Sequence, residues 1–128
     1  MLINSYDIDG VIYINETLVG VTPRPEDIII TGRSFEEEIE TVKMLKSRGI
    51  NNVIYFNPLP FNEKTRISSG IHKGLTLQTL ISSGIDIGLH FEDDEIQIRE
   101  IEKLVPGVNV VHIKHELTEK ENIRRVDF

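Results

Sequence analysis

The chain has 128 residues and a formal net charge of −7, with 39% hydrophobic and 27% charged residues, which is the composition of one folded domain. It contains no cysteine, which excludes a disulfide framework, a thiolate zinc site and a cysteine nucleophile. No apolar run approaches the roughly 20 residues of a membrane helix, and the acidic balance argues against broad binding to nucleic acid. We expect a cytoplasmic protein, because the sequence does not start with a basic segment followed by a long apolar stretch.

Five apolar segments are predicted to be β-strands. The first covers residues 2–8 and runs into a turn at Gly10. The second covers residues 27–31 and contains three consecutive isoleucines, a pattern typical of a strand that is buried on both faces. The other three strands are predicted over residues 52–56, 85–91 and 108–113.

Three helices are predicted between the strands, with a short fourth helix after them. The first begins at Ser34 and Glu37, which have the spacing of a capping box, and it ends at Gly49. The others are predicted over residues 71–83, from Asp94 to Gly107, and over residues 119–126. The side chains expected to face the core are Phe35, Ile39, Val42 and Leu45 in the first helix, Leu75, Leu80 and Ile81 in the second, and Ile98, Ile101, Leu104 and Val105 in the third.

The alternation of strands and helices predicts the fold class. It favours an α/β three-layer, Rossmann-like sandwich, with a mainly parallel five-stranded sheet and helices on both faces. We expect residues 1–128 to form a single domain of this kind. In such sheets ligands bind at the carboxyl ends of the strands, where the strand order reverses. Functional residues are therefore expected at those ends.

Acidic, hydroxyl and basic residues follow three of the predicted strands. The first strand ends in Asp7-Ile8-Asp9-Gly10, the second in Thr31-Gly32-Arg33, and the fourth in Glu92-Asp93-Asp94. Lys73 lies near the start of the helix that precedes the fourth strand. We therefore expect two acidic clusters, a hydroxyl group and an ammonium group to meet at one edge of the sheet.

These motifs, in this order, resemble those of the haloacid dehalogenase-like phosphatases. The segment Asp-x-Asp-Gly-Val-Ile after the first strand resembles the first motif of that superfamily, and an apolar strand that ends in Thr31 resembles the second. Lys73 fits the third motif, a single lysine, and Phe91-Glu92-Asp93-Asp94 fits the fourth, an acidic pair after an apolar strand. The resemblance covers about residues 2–113 and implies a phosphatase with the fold predicted above.

The resemblance implies a role for each of four catalytic residues. Asp7 would attack phosphorus and form an aspartyl-phosphate, and Asp9 would protonate the leaving oxygen and then activate water. Thr31 would donate a hydrogen bond to a phosphoryl oxygen, and Lys73 would neutralise charge on the phosphoryl oxygens and on Asp7. The residues expected to bind substrate are Gly10, Gly32, Arg33, Lys64 and Arg66.

Magnesium is the cofactor that this chemistry implies. A carboxylate that attacks a phosphate dianion faces like-charge repulsion, and a bound Mg²⁺ removes that penalty. The expected ligands are the carboxylates of Asp7, Asp9, Asp93 and Asp94, together with the Ile8 carbonyl. Asp93 is preferred over Asp94 as the direct ligand, and the choice between them stays open.

The same residues also have structural interpretations. Asp7 and Asp9 are residue types that favour a chain reversal before Gly10. Asp93 or Asp94 can cap the following helix and complement its dipole. Each acidic cluster is therefore ambiguous alone, and the set of motifs in order is what favours a site.

Two of the other basic residues are expected to bind substrate, and the four histidines are interpreted as structural. Lys64 and Arg66, in the loop after the third strand, are expected to contact the part of the substrate that does not react. Lys64 is also the alternative to Lys73 for the lysine of the third motif. The histidines lack the spacing of a metal site and are interpreted as structural: His72, His90, His112 and His115.

Residues 13–26 are long enough for a small flap only, so the chain resembles members of the superfamily that lack a large cap. An open site of that kind suits a phosphorylated protein, a small molecule or a nucleic-acid end, and an oligomer is compatible with it. The chain is similar in size to polynucleotide 3′-phosphatase domains, although Glu95 stands where their acidic pair is typically followed by arginine.

Two functional hypotheses follow. The first is an Mg²⁺-dependent hydrolase of phosphomonoesters, such as a nucleotide or a nucleic-acid end phosphate, that works through an aspartyl-phosphate. The second is a non-catalytic module that binds phosphate or Mg²⁺, or a receiver-like phosphoacceptor that keeps Asp7 without turnover. Asp9 favours the enzyme, because a module without turnover has no need of an acid/base.

Overall fold

The computed structural model describes residues 1–115, within which it has five strands and three α-helices. The strands are β1 (Leu2–Tyr6), β2 (Ile28–Ser34), β3 (Ile54–Asn57), β4 (Asp86–Glu92) and β5 (Val110–His112). The helices are α1 (Glu38–Lys46), α2 (Arg66–Ser82) and α3 (Glu95–Leu104), and a 3-10 turn (Phe35–Glu37) precedes α1. The helix predicted over residues 119–126 lies outside the described residues. None of the helices in residues 1–115 is both long and apolar enough to cross a lipid bilayer.

The five strands form one parallel sheet with the order β3-β2-β1-β4-β5. The chain builds outward from β1 to β3 and then returns to place β4 on the other side of β1. The strand order therefore reverses between β1 and β4, which is where ligands bind in open parallel sheets. These two strands lead directly into Asp7 and Asp93.

Helices cover both faces of the sheet. One cluster of buried side chains joins α1 to the sheet, and it includes Tyr6, Ile8, Ile29 and Leu45. A second cluster joins α2 and α3 to the opposite face, and it consists of Ile28, Ile30, Leu77 and Ile101. Consecutive isoleucines of β2 alternate between the two clusters, as side chains of a strand do. The predicted α/β sandwich with helices on both faces is confirmed.

The start of the first helix differs from the prediction. Ser34 and Glu37 do form a capping box, in which the Ser34 N–H donates to Glu37 Oε2 at 2.8 Å. The capped turn is a 3-10 turn, however, and its tighter winding shifts the phase of the helix that follows. Phe35 and Ile39 are 50% and 87% exposed, whereas Leu45 is buried. The prediction that Phe35 and Ile39 face the core is wrong.

The second helix begins earlier than predicted and has a different inward face. Thr65 and Ser68 form a capping box that starts α2 in the middle of the segment expected to be a loop. Small residues line its contact with α3, since a Cβ on Gly70 would lie 2.8 Å from a side chain of that helix. Leu75 and Ile81 were expected to face the core and are 46% and 43% exposed. That prediction is wrong, because close helix packing selects small residues rather than large apolar ones.

The segment between β1 and β2 makes a short hairpin-like turn. Gly20 and Val21 donate backbone hydrogen bonds to the Ile12 and Val11 carbonyls at 2.8 and 2.9 Å. Val11 and Ile12 are buried in the cluster that includes Leu45, so this turn packs on the α1 face of the sheet. The turn thereby anchors the backbone that directly follows Asp7 and Asp9.

Candidate active site

Three carboxylates converge where the strand order reverses. Asp7 follows β1, Glu92 ends β4 and Asp93 follows β4, and each offers an oxygen within 4.8 Å of the other two. Asp7 and Glu92 are buried, with 2% and 0% of their surface exposed. Carboxylates gathered this closely in a buried place repel one another, so cations are needed to stabilise them.

Lys73 brings one cation to this cluster. From the buried side of α2 its Nζ lies 3.1 Å from Asp7 Oδ1 and 2.7 Å from Glu92 Oε1. The whole side chain is buried, so these ion pairs replace the water that an ammonium group otherwise binds. Of the two lysines considered for the third motif, Lys73 is the one beside Asp7.

Asp93 packs against the turn that follows β1. Gly10 has a φ of +87°, and a Cβ at this position would lie 1.9 Å from Asp93 Oδ2, so only glycine fits. His115 Nε2 donates to the Gly10 carbonyl at 2.9 Å, and His112 Nε2 donates to the Asp93 carbonyl at 3.2 Å. Gly10, predicted to bind substrate, therefore forms part of the wall that fixes Asp93.

Asp9 forms a separate ion pair with Arg33. The Arg33 Nε and Nη2 atoms donate to the two Asp9 carboxylate oxygens at 2.9 and 2.8 Å, a bidentate arrangement. Burial lowers the pKa of Arg33, but its hydrogen bonds to Asp9 and the negative charges of Asp9, Glu37 and Asp7 together outweigh that effect and hold the pKa above its ordinary value. Asp9 was expected among the metal ligands, and the structure places it in this pair rather than among the three converging carboxylates.

Asp94 caps α3. Its Oδ1 accepts the N–H of Ile96 at 2.9 Å, and its two oxygens accept hydrogen bonds from Arg66, both at 2.9 Å. Arg66, expected to bind substrate, keeps 29% of its side chain exposed in this pair. Of the two aspartates considered as direct metal ligands, the structure places Asp93 in the carboxylate cluster.

Lys64 is buried beneath the end of β2. Its Nζ donates to the Gly32 carbonyl at 3.2 Å and to Glu37 Oε2 at 2.9 Å. Burial lowers the pKa of Lys64, and the hydrogen bond to Glu37 acts in the opposite direction. The side chain has no exposed surface, so a substrate cannot contact it in this conformation. Lys64 instead ties the end of β2 to the turn that precedes α1.

Other predicted residues take part in turns. Thr31 Oγ1 accepts the N–H of Arg33 at 3.0 Å, and Thr31 is fully buried. A Cβ on Gly32 would lie 3.0 Å from Ser69 Oγ, so glycine allows β2 and α2 to approach closely. The Ile8 carbonyl accepts two backbone N–H groups of the turn that follows it, at 3.0 and 3.2 Å. These groups shape the ends of β1 and β2.

Sequence reasoning missed the part that Glu92 and His90 play. His90 Nε2 donates to Glu92 Oε1 at 3.2 Å, and both residues are fully buried. The sequence did indicate that His90 and Glu92 lie side by side, because residues two apart in a strand point to the same face. Ser5 and Asp7 have the same spacing at the end of the first strand, so two polar pairs marked one edge of the sheet.

His72 neighbours Lys73 in sequence but contacts β3. Its Nε2 donates to the Tyr55 carbonyl at 3.3 Å. Burial lowers the pKa of His72 to about 4, although the hydrogen bond to Tyr55 works against that shift. The ring is therefore neutral near pH 7 and adds no charge beside Lys73.

A cleft of about 330 Å³ opens beside the carboxylate cluster. Its walls include Arg66, Asp93, Lys114 and His115. A ligand in this cleft would contact Asp93 directly and would meet the guanidinium and ammonium groups on the other walls. The cleft is thus an approach from solvent to the largely buried cluster.

The donor atoms of the cluster fit a hard divalent cation. Mg²⁺ binds carboxylate oxygens and water, and Asp7, Glu92 and Asp93 offer oxygen only. The Asp93 carboxylate occupies the space beside Gly10 that a Cβ would take, so it packs directly against this turn. The residues therefore fit Mg²⁺ better than a softer metal, which prefers nitrogen or sulfur.

No protein-family model matches this chain, and a comparison with curated proteins finds no match either. The geometry of the carboxylate cluster and its position in the sheet are therefore the features from which function is inferred.

Proposed function

We propose that the protein is an Mg²⁺-dependent phosphatase of the haloacid dehalogenase-like superfamily, which hydrolyses phosphomonoesters through an aspartyl-phosphate on Asp7. One observation carries this proposal. Asp7 lies where the strand order reverses, paired with buried Lys73 and clustered with Glu92 and Asp93. A positioned nucleophile among cations is what phosphoryl transfer requires.

Asp7, Glu92 and Asp93 would hold the metal. When bound, Mg²⁺ supplies positive charge that offsets the repulsion between Asp7 and a phosphate dianion. The Ile8 N–H donates to Asp7 Oδ1 at 2.8 Å, and Lys73 Nζ approaches the same oxygen at 3.1 Å. These contacts orient the Asp7 carboxylate before a substrate arrives, which lowers the entropic part of the barrier.

The reaction has two steps in this proposal. An oxygen of Asp7 forms a bond to phosphorus while the bond to the leaving oxygen breaks, and Asp9 gives that oxygen a proton. Asp9 then takes a proton from water, which attacks phosphorus, so that phosphate leaves and Asp7 is restored. Asp9 has to part from Arg33 first, and a phosphate anion attracts that guanidinium. Substrate binding would thereby free the Asp9 carboxylate, which takes up a proton from solvent water before it acts as the acid.

We propose a nucleotide or a phosphorylated nucleic-acid end as the substrate class. The cleft next to Asp93 has Lys114 and the Arg66–Asp94 ion pair in its walls, together with Glu95. A second phosphate of the same molecule would be attracted to Lys114 and Arg66. The net charge of −7 disfavours contacts along an extended polyanion. Contact would therefore be confined to the terminal nucleotides.

Hydrolysis of p-nitrophenyl phosphate with and without Mg²⁺ tests the proposal. We expect release of p-nitrophenol that depends on Mg²⁺ and falls by about a thousandfold or more in Asp7→Asn, because the nucleophile is lost. Asp86→Asn is the matched control, since Asp86 is an exposed carboxylate at the opposite end of β4. Equal rates in wild type and Asp7→Asn would overturn the proposal. Nucleotides, sugar phosphates and phosphorylated DNA ends then define the substrate.

A receiver-like phosphoacceptor is the second candidate, and the Asp9–Arg33 pair favours it. Arg33 holds both oxygens of Asp9. If this pair persists after phosphoryl transfer, the aspartyl-phosphate on Asp7 accumulates because no base activates water. Acetyl phosphate and Mg²⁺ would then leave a lasting mass increase of one phosphoryl group, without continued release of phosphate. Continued release favours the phosphatase.

A further inference from the structure

A series of buried hydrogen bonds leads from the interior of the sheet to Asp7. Ser5 Oγ lies 2.8 Å from His90 Nδ1, and His90 Nε2 lies 3.2 Å from Glu92 Oε1. The same Glu92 oxygen lies 2.7 Å from Lys73 Nζ, which is 3.1 Å from Asp7 Oδ1. Ser5, His90 and Glu92 have no exposed surface. These contacts form one continuous path within the described part of the chain.

Strand geometry explains why the path exists. Ser5 and Asp7 are two residues apart at the end of β1, and His90 and Glu92 are two residues apart at the end of β4. Ser5 and His90 are directly paired across the two parallel strands. Both polar pairs therefore point to the face that α2 covers, where Lys73 meets them.

An irregularity in β4 gives His90 this orientation. Ile87 packs with the cluster on the α2 face, and His90 follows it by three residues, a spacing that would place them on opposite faces of a regular strand. The pairing of β1 with β4 shifts register before His90, which restores the common face. A Cβ on Gly88 would lie 2.8 Å from Asn4 Oδ1, so glycine leaves room for the Asn4 side chain beside the irregular segment.

The hydrogen bonds of the path determine the orientation and the tautomer of the His90 imidazole. A carboxylate accepts hydrogen bonds, so His90 Nε2 carries the hydrogen that it donates to Glu92. In the neutral ring, Nδ1 then accepts the hydrogen of the Ser5 hydroxyl. Ser5 thus selects the orientation and tautomer of His90, and His90 in turn orients Glu92.

A serine, a histidine and a glutamate in this order also occur in hydrolase triads. In this protein Ser5 Oγ is enclosed between the sheet and α2, and neither Ser5 nor His90 has exposed surface. A substrate cannot reach the hydroxyl group, so nucleophilic attack by Ser5 is excluded in this conformation. Positioning of Glu92 is the role that the geometry permits.

We propose that Ser5 and His90 are positioning residues for the metal site, acting through Glu92. This inference rests on the proposed function, because the metal site belongs to it. His90 and Lys73 both bond Glu92 Oε1, and together they hold that carboxylate in the cluster with Asp7 and Asp93. Without the imidazole, Glu92 Oε1 loses one of the groups that orient it, and the carboxylate is held less firmly in the arrangement that a cation requires.

Binding of Mn²⁺, followed as loss of the free-ion electron paramagnetic resonance signal, tests this role without any substrate. We expect His90→Leu to weaken Mn²⁺ binding about tenfold or more. His90→Gln should recover most of the affinity, because its side-chain amide keeps a donor near Glu92. Ser5→Ala should show a smaller loss, about threefold, because the ring remains but its orientation is no longer fixed.

His72→Gln is the matched control, since His72 is a largely buried histidine of α2 that lies outside the path. Folded His90→Leu and Ser5→Ala variants that both bind Mn²⁺ within twofold of wild type would overturn the positioning role while leaving the metal site intact. An equal loss in His72→Gln would overturn it as well. Absence of Mn²⁺ binding by wild type would overturn the metal site and this inference together. If His90→Leu is unfolded by circular dichroism, Ser5→Ala decides by the same criterion, because its expected loss is about threefold.

Discussion

Lys73 and Lys64 are both completely buried, yet their surroundings differ. Lys73 bonds two carboxylates, Asp7 and Glu92, at the point where the strand order reverses. Lys64 bonds one carboxylate and the Gly32 carbonyl, and its Nζ lies 4.9 Å from the centre of the Phe61 ring. Lys73 lies among converging carboxylates. Lys64 instead links the end of β2 at Gly32 to the turn that contains Glu37.

The comparison shows that burial of a charge does not by itself mark a site. Lys64 has a carboxylate partner of its own, so its surroundings are complete without a ligand. Around Lys73 a third carboxylate, Asp93, lies within the same cluster, so acidic groups are concentrated there. We therefore expect an additional cation to stabilise the Lys73 region and to have no comparable effect on the Lys64 region.

The largest difference is expected in phosphatase activity. Lys73→Met should lower kcat for p-nitrophenyl phosphate by about a hundredfold or more, because it removes a positive charge that stabilises the transition state. Lys64→Met should lower kcat by only a fewfold, measured at a temperature at which circular dichroism shows the variant to be folded. An equal loss of kcat in the two folded variants would abolish the distinction between the two regions.

The next difference is expected in stability and its response to Mg²⁺. Each variant leaves buried charge without its partner, which typically costs about 3–5 kcal/mol of unfolding free energy. Saturating Mg²⁺ should restore much of the loss in Lys73→Met, because a cation in the cluster compensates Asp7 and Glu92. It should restore little in Lys64→Met. Urea unfolding with and without Mg²⁺ measures both effects, and equal recovery in the two variants would contradict the account.

A smaller effect is expected from His72, a partly buried base that contacts the Tyr55 carbonyl instead of a carboxylate. Its pKa of about 4 in the folded protein is below the ordinary value of 6.5, so between these values the unfolded chain binds more protons. The free energy of unfolding should therefore fall by about 2 kcal/mol as the pH drops through this window. Urea unfolding at several pH values should show a flatter profile for His72→Gln, and an unchanged slope would contradict the shift.

Much of the fold could be predicted from the sequence, because its signals are local. The run Ile28-Ile29-Ile30 indicates a strand buried on both faces, and its side chains do alternate between the two clusters of the core. Capping residues such as Ser34 mark where a helix begins. The buried face of each helix was harder to predict than the helix itself, since Leu75 and Ile81 were expected to face the core and are instead exposed. Which face of a helix is buried depends on how closely its neighbour packs.

The site was predicted in part for a similar reason. Asp7 and Asp93 each directly follow a strand, and the parallel topology brings such residues together. The sequence alone could not decide whether Lys73 or Lys64 lies beside Asp7, because the answer depends on which carboxylates the fold brings to each ammonium group. Glu92 and His90 were missed because their importance depends on the pairing of β4 with β1, including the shifted register before His90.

The binding of beryllofluoride, a phosphoryl mimic, tests the central claim that Asp7 accepts a phosphoryl group beside a divalent cation. In ¹⁹F nuclear magnetic resonance, the account predicts protein-bound fluorine signals for wild type in the presence of Mg²⁺. It predicts their absence without Mg²⁺ and in Asp7→Asn. Bound signals that persist unchanged in Asp7→Asn, or their absence from folded wild type with saturating Mg²⁺, would contradict it.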